Sequence, residues 1–160
     1  MNVRPAVETD LPTIIELIGA LAEYEREPQA VTLDPDELRA HLFGPRPFAE
    51  VLIAEGDGGA SVGFALFFHN FSTWKGKPGI WLEDLFVRPG NRGQGFGKAL
   101  LAAVAAIAVT RGCARYEWSV LDWNAPSIAF YRRLGAQPLD EWTTYRVTGP
   151  ALTALAALGR

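Results

Sequence analysis

LEDLFVRPGNRGQGFGKALL (82–101) predicts a strand, a glycine-rich loop and a helix in direct succession. This order of elements is the strongest indication of the fold class. The apolar segment 82–87 is typical of a strand, and the Ala- and Leu-rich segment 95–111 is typical of a long helix that stops at Gly112. Glycines let a backbone approach a ligand closely, and the first N–H groups of a helix have no partner within it. The junction therefore predicts a site for an anion such as a pyrophosphate.

The segments on either side predict an α/β domain with a mixed sheet, because strands come first as a meander and then alternate with helices. The apolar residues of the first helix recur on one face, and the glycines of GDGGAS (56–61) are typical of a hairpin turn. The tail PALTALAALGR is expected to be a short helix or a frayed end. Strands are predicted at 1–6, 51–55, 62–68, 80–87, 114–121 and 142–147, and helices from Thr9 or Asp10 to Glu25, from Asp34 to Phe43, over 95–111 and from Ala125 to Leu134.

Length and composition favour one globular domain over residues 1–160, with 49% hydrophobic residues and a net charge of −3. The charge is too small and of the wrong sign for a nucleic-acid partner. No apolar run approaches the roughly 20 residues that span a bilayer, and MNVRPAVETD lacks the form of a signal peptide. A cytoplasmic protein without a membrane partner is therefore expected. Cys113 is the only cysteine, which excludes an intrachain disulfide.

Three phosphate-binding patterns compete for the glycine-rich loop. A P-loop needs Ser or Thr where Ala99 stands and its first glycine where Arg92 stands. A dinucleotide fingerprint belongs at the first strand–helix turn and has another glycine spacing. A flexible turn whose basic rim (Arg88, Arg92 and Lys98) is only solvated is the alternative structural interpretation.

The third pattern fits better, because RGQGFG (92–97) resembles the R-x-x-G-x-G signature of the GNAT superfamily of N-acetyltransferases. Within it, the chain looks like the spermidine/spermine family, whose members are also called diamine or thialysine acetyltransferases. The resemblance implies a GNAT-like, mostly antiparallel central sheet flanked by helices, acetyl-CoA as cosubstrate, no metal, a homodimer and a small amine acceptor. The segments that carry it, besides the loop, are RPA (4–6), LAEYE (21–25), VGFALFF (62–68), LEDLFV (82–87) and DWNAPSIAFYRRLGA (122–136).

Tyr131 is the candidate general acid. Acetyl transfer expels coenzyme A as a thiolate, which a phenol can protonate. The resemblance places this acid on the tyrosine of the N-x-P-S-x-x-F-Y segment. A core aromatic is the alternative, because Ile128, Tyr131 and Leu134 share a helix face.

Glu83 is the candidate base. An amine arrives as an ammonium ion and must lose a proton before attack, which a carboxylate accepts directly or through water. Glu83 and Asp84 are adjacent on a strand, so their side chains are expected on opposite faces, with only one in a given pocket. The resemblance assigns the role to Glu83, and a structural salt bridge is the alternative.

The remaining candidates follow from the resemblance. The backbone of 85–87 is implied to pair with the pantetheine arm like an extra strand. Asn124 and Ser127 also suit an N-cap and a first-turn serine, and the two roles are compatible. The acetyl-CoA residues are Leu85, Phe86, Val87, Arg92, Gly93, Gln94, Gly95, Phe96, Gly97, Lys98, Asn124, Ala125, Pro126 and Ser127; the acceptor residues are Tyr24, Glu25, Glu83, Glu117, Trp118, Ser119 and Glu141.

The function predicted is acetyl transfer from acetyl-CoA to a primary amine of a small cationic acceptor by direct attack. An acetyltransferase for an amino acid, an aminoglycoside or a protein N-terminus, a non-catalytic coenzyme A-binding module and a generic nucleotide-binding domain are the alternatives. His41 and His69 lack metal-ligand spacing, no G-x-S-x-G elbow occurs, and Cys113 is expected to be an inert thiol.

Overall fold

The computed structural model describes residues 1–159. The chain divides into two compact units, Met1–Ser119 and a second that begins at Val120. The first unit contains β1 (Asn2–Pro5), α1 (Leu11–Tyr24), α2 (Pro35–Phe43), β2 (Glu50–Glu55), β3 (Ser61–Ser72), β4 (Lys77–Val87), α3 (Phe96–Thr110) and β5 (Tyr116–Trp118), and the second contains α4 (Ala125–Arg133) and α5 (Gly149–Ala157).

The central sheet has five strands in the order β1-β2-β3-β4-β5. The first three pairings are antiparallel, and β4 pairs with β5 in parallel. The predicted mixed, mostly antiparallel sheet is therefore confirmed. Its two long strands, β3 and β4, are paired from Gly63↔Val87 to Ser72↔Lys77 and form the centre of the sheet.

Helices cover both faces of this sheet. One face carries a buried cluster in which residues from α1 and α2 pack on alternate residues of β2, β3 and β4. Neighbouring residues along these strands point to the other face, where α3 packs. The buried cluster comprises Ile14, Leu17, Leu21, Leu42, Val51, Ile53, Phe64 and Phe86; the buried residues of α3 are Phe96, Leu100, Leu101, Val104 and Ala108.

The helix starts differ in how they are capped. Asp34 accepts hydrogen bonds from the backbone N–H groups of Asp36 and Glu37, so the predicted cap of α2 is confirmed. Asp10 precedes α1, but its carboxylate binds the guanidinium of Arg4 at 2.7 Å instead of capping the helix. A single turn of 3₁₀ helix, Glu8–Asp10, leads into α1.

Two predicted strands are corrected. Residues 142–147 form no strand, and the described part of the second unit contains no strand with which they could pair. A β-rich composition stabilises a strand only through pairing in a sheet, which explains the error. The predicted strand 114–121 is reduced to Tyr116–Trp118 because β5 pairs with β4 over three residues only. The tail contains a helix, α5, whose residues are exposed.

No helix within residues 1–159 combines the length and the apolarity that crossing a bilayer requires.

Candidate active site

The glycine-rich loop joins β4 to α3 as the sequence predicts. A turn of 3₁₀ helix, Pro89–Asn91, follows β4, and α3 begins at Phe96. Gly93 and Gly95 have φ angles of 77° and 92°, in the left-handed region that side chains disfavour. Gly95 is the N-cap of α3, and no side chain caps this helix. The first N–H groups of α3 therefore remain available to an anion, with the helix dipole adding positive potential.

The side chains of the loop offer fewer contacts to an anion than its backbone N–H groups do. The Nε of Arg92 donates to the carbonyl oxygen of Val87 at 2.9 Å, and its guanidinium lies 4.3 Å from the ring centroid of Tyr24. The side chain of Phe96 is only 5% exposed and belongs to the core. Lys98 is exposed at the start of the helix. The predicted acetyl-CoA residues of this loop are thus placed together, with contact expected through backbone N–H groups and Lys98.

The basic rim is only partly available. Arg88 donates to Glu16 Oε1 at 2.9 Å and to the carbonyl oxygen of Ser61 at 3.1 Å. This guanidinium ties the end of β4 to α1 and to the start of β3, so its role is structural. The charge expected from Arg88 beside the loop is largely compensated by Glu16.

The end of β4 offers an unpaired edge. Pairing between β4 and β5 covers Ile80–Leu82 and stops there. Beyond Leu82, the described residues provide β4 with a strand partner on the β3 side only. Leu85, Phe86 and Val87 thus lie where an extended ligand can add itself to the sheet edge, which fits the predicted pairing with a pantetheine arm.

A bulge in β4 corrects the expected orientation of its two carboxylates. Leu66 pairs with Asp84 and Phe67 with Leu82, so Glu83 is an extra residue between two ladder pairs. Alternation along β3 puts Leu66 and Phe68 on one face, and their partners Asp84 and Trp81 share it. The Nε1 of Trp81 donates to Glu83 Oε2 at 2.8 Å, which holds the Glu83 carboxylate on that face too. Both carboxylates therefore lie on the face covered by α1, since a bulge breaks the alternation that the sequence analysis assumed.

Three carboxylates interact on this face. Burial, and then the negative charges of Glu83 and Glu25, raise the pKa of Asp84 to about 6. Burial also raises the pKa of Glu25, the residue after α1. Glu83 is exposed and bonded to Trp81. Glu25 and Glu83, two of the predicted acceptor residues, thus both lie close enough to influence Asp84, a carboxylate that was not among the predicted site residues.

The candidate acceptor residues on β5 offer less free negative charge to a cationic ligand. The carboxylate of Glu117 accepts from Arg115 Nε at 2.8 Å and from Asn70 Nδ2 at 2.9 Å. Trp118 is partly buried, with its ring 5.0 Å from that of Tyr116, and Ser119 is exposed. Arg115 neutralises much of the charge that Glu117 was expected to supply.

The second unit holds the other candidates. Asn124 is 6% exposed and caps α4, with its side chain accepting from the Ser127 N–H at 3.3 Å, so the capping role is confirmed. Ala125 and Pro126 are exposed in the first turn of the helix. Tyr131 is partly buried on α4, and Glu141 is exposed after it.

A cleft of about 460 Å³ is lined by residues of the glycine-rich loop and of the β2–β3 turn. Of the predicted site residues, only Gln94 and Phe96 line it. The carboxylates on the α1 face do not line it, so the cleft is not the predicted acceptor site.

A strand that enters a glycine-rich loop and a helix without a side-chain N-cap, within a mixed sheet whose last pairing covers only three residues, is the architecture of an N-acetyltransferase. Residues 14–136 match the family described as "Acetyltransferase (GNAT) family", and the chain belongs to this family. Acetyltransferases with this fold use acetyl-CoA.

Two similar proteins are named as N-acetyltransferases, and a solved structure shares the fold. The chain is 42% identical to a thialysine N-epsilon-acetyltransferase of Bos taurus over 96% of each protein. It is 33% identical to L-ornithine N5-acetyltransferase NATA1 of Arabidopsis thaliana, covering 98% of this chain and 88% of that protein. A solved integron cassette protein of V. cholerae has a TM-score of 0.80 and 25% identity, with 97% of this chain and 96% of that chain covered. The chain is therefore an acetyltransferase.

Proposed function

We propose that this enzyme acetylates the primary amine of a small acceptor that carries a second positive charge. The observation that carries this proposal is the group of three carboxylates, Glu25, Glu83 and Asp84, on one sheet face near the glycine-rich loop. Their mutual repulsion, which contributes to the raised pKa of Asp84, is relieved when a cation binds among them. A neutral acceptor offers no such relief.

The names of the relatives agree with this acceptor class. Thialysine and ornithine, the acceptors named for two of them, are amino acids with a side-chain amine. An acidic acceptor site beside a loop suited to a polyanionic cosubstrate also attracts each ligand to its own site by charge.

The proposed roles divide the candidate residues between proton transfer, the cosubstrate and the acceptor. Glu83 receives the proton of the acceptor ammonium, and Asp84, whose pKa of about 6 lies near neutral pH, is a second candidate for this role. The N–H groups of 93–98 hold the pyrophosphate, and the edge of 85–87 holds the pantetheine arm. Asn124, Ala125, Pro126 and Ser127 also contact the cosubstrate. The proposed acceptor residues are Tyr24, Glu25, Glu83, Glu117, Trp118, Ser119 and Glu141.

Tyr131 is proposed to protonate the departing thiolate. Acetyl-CoA supplies the activated acetyl thioester, and a free amine is nucleophilic enough to attack it without a covalent enzyme intermediate. The family match spans residues of both units, which supports one N-acetyltransferase domain over 1–160.

A thiol-release assay across acceptor classes tests the proposal. Diamines, polyamines, lysine analogues, neutral amines, an aminoglycoside and a peptide with a free N-terminus are compared at equal concentration. We expect the highest kcat/KM for the small dications. A preference for the peptide or for neutral amines contradicts the proposed class, and binding of acetyl-CoA without turnover of any acceptor indicates a non-catalytic module.

We also propose a homodimer in the cytoplasm. Support comes from a set of exposed apolar side chains in the second unit, which are of the kind that a partner covers. Its exposed members are Leu139, Trp142, Tyr145, Val147, Leu152, Leu155 and Leu158. Light scattering at micromolar concentration should give twice the chain mass; a monomeric mass contradicts the proposal.

A further inference from the structure

The bulge in β4 leaves Glu83 with little support from the sheet. Glu83 pairs with no residue of β3, and it is exposed. An exposed glutamate normally samples several rotamers, at a cost in entropy whenever one geometry is required. Precise proton transfer or cation binding by Glu83 therefore needs a second group that fixes its carboxylate.

Trp81 supplies a tether of the required kind. Its indole Nε1 donates to Glu83 Oε2 at 2.8 Å, within the range of a strong hydrogen bond to a charged acceptor. The indole N–H is a donor only, so it bonds the ionised carboxylate without competing for its proton.

The position of Trp81 in the sheet restricts its own motion. It is opposite Phe68 on β3 and Glu117 on β5, so a neighbouring strand lies on each side of it. Its side chain is partly buried, in contrast to the exposed Glu83. A bulky ring on a residue whose backbone is paired on both sides has few rotamers, and the group that it bonds is restricted in turn.

We propose that Trp81 is a positioning residue that holds the Glu83 carboxylate in its working geometry through the indole N–H. This inference rests on the proposed role of Glu83 at the acceptor site.

Trp81→Phe removes the N–H donor and keeps an aromatic ring in the sheet. We expect kcat/KM for the amine to fall about tenfold or more, as is typical for loss of a hydrogen bond to a charged group. The KM for acetyl-CoA should stay unchanged, since no part of Trp81 lies in the glycine-rich loop. Trp81→Tyr keeps a ring with a donor and should recover part of the loss. Melting temperatures of both variants report any damage to the fold.

The Glu83→Ala background separates the inference from the proposed function. If Glu83→Ala lowers kcat/KM and Trp81→Phe lowers it no further in that background, the tether is supported. If Glu83→Ala lowers activity but Trp81→Phe in the parent does not, or if the two losses simply multiply, the tether is wrong and the role of Glu83 stands. Full activity of Glu83→Ala overturns the role of Glu83 and the tether with it. Equal losses in Trp81→Phe and Trp81→Tyr also overturn the tether.

Discussion

Asp84→Asn should make the folded protein more stable at pH 8 while impairing its activity. Asp84 is a carboxylate on a partly buried sheet face, with Glu83 and Glu25 as negative neighbours. The substitution keeps the shape of the side chain and removes its charge. Stability and function therefore respond in opposite directions, which a purely structural role for Asp84 does not predict.

The magnitude follows from the pKa. A rise from the ordinary 3.8 to about 6 corresponds to about 3 kcal/mol at most, since each tenfold change in proton affinity is worth about 1.4 kcal/mol. Because the folded state binds this proton more tightly than the unfolded state, the contribution of Asp84 to stability is present below pH 3.8 and is lost as the pH rises through about 6. The advantage of Asp84→Asn should thus grow from pH 4 to pH 6 and then stay constant.

Thermal and urea unfolding between pH 4.5 and pH 8 measure this advantage. For a chain of 160 residues, 1 kcal/mol shifts the melting temperature by about 2–4 °C, so an increase of several degrees is expected at pH 8. Asp140→Asn, which removes an exposed carboxylate of the second unit, is the matched control. If Asp84→Asn is no more stable than the parent at pH 8, or if its advantage does not depend on pH, the electrostatic account of this face is refuted.

Three further substitutions test other parts of the account. Gly95→Val should raise the KM for acetyl-CoA strongly in a folded protein. The control Gly76→Val, at a hairpin tip with a similar left-handed φ of 60°, should leave this KM unchanged. Normal cosubstrate affinity of Gly95→Val contradicts the pyrophosphate site. Tyr131→Phe should lower kcat by about 10²–10⁴-fold with little change in either KM. The control Tyr145→Phe, at a residue that is 90% exposed, should not lower kcat. A kcat of Tyr131→Phe within about threefold of the parent removes Tyr131 as the acid, since that margin lies below the range for acid catalysis. Gly63→Ala should destabilise the protein by about 1–3 kcal/mol, as overpacking does. The reason is that the Cβ of the new alanine would lie 2.5 Å from the Phe86 carbonyl oxygen. Unchanged stability contradicts the close β3–β4 contact.

The sequence was sufficient to predict the junction that defines the fold. Glycines 93 and 95 in left-handed backbone, followed by an Ala- and Leu-rich helix, leave few other local structures. The cap at Asp34 was equally predictable, because an Asp-Pro pair before an apolar run is a local signal.

Other features depend on contacts that no local pattern encodes. The bulge at Glu83 arises from the register between β3 and β4, so alternation along β4 alone put Asp84 on the wrong face relative to Glu83. The segment 142–147 has the composition of a strand, but strand formation depends on a pairing partner that the sequence does not specify. Arg88 carries the charge expected beside the loop, yet Glu16, 72 positions away in sequence, compensates it.

The preference for an acceptor with a second positive charge is measured by the ratio of kcat/KM for diaminobutane to that for butylamine. The two acceptors share a reacting amine and a four-carbon chain, and they differ in the second ammonium group. If a second positive charge selects the acceptor, the ratio should be at least about tenfold, as expected for one ion pair in a partly buried site. The ratio should fall in a Glu25→Gln variant. Equal kcat/KM values for the two amines, at low ionic strength and in the presence of saturating acetyl-CoA, would contradict the claim that a second positive charge selects the acceptor.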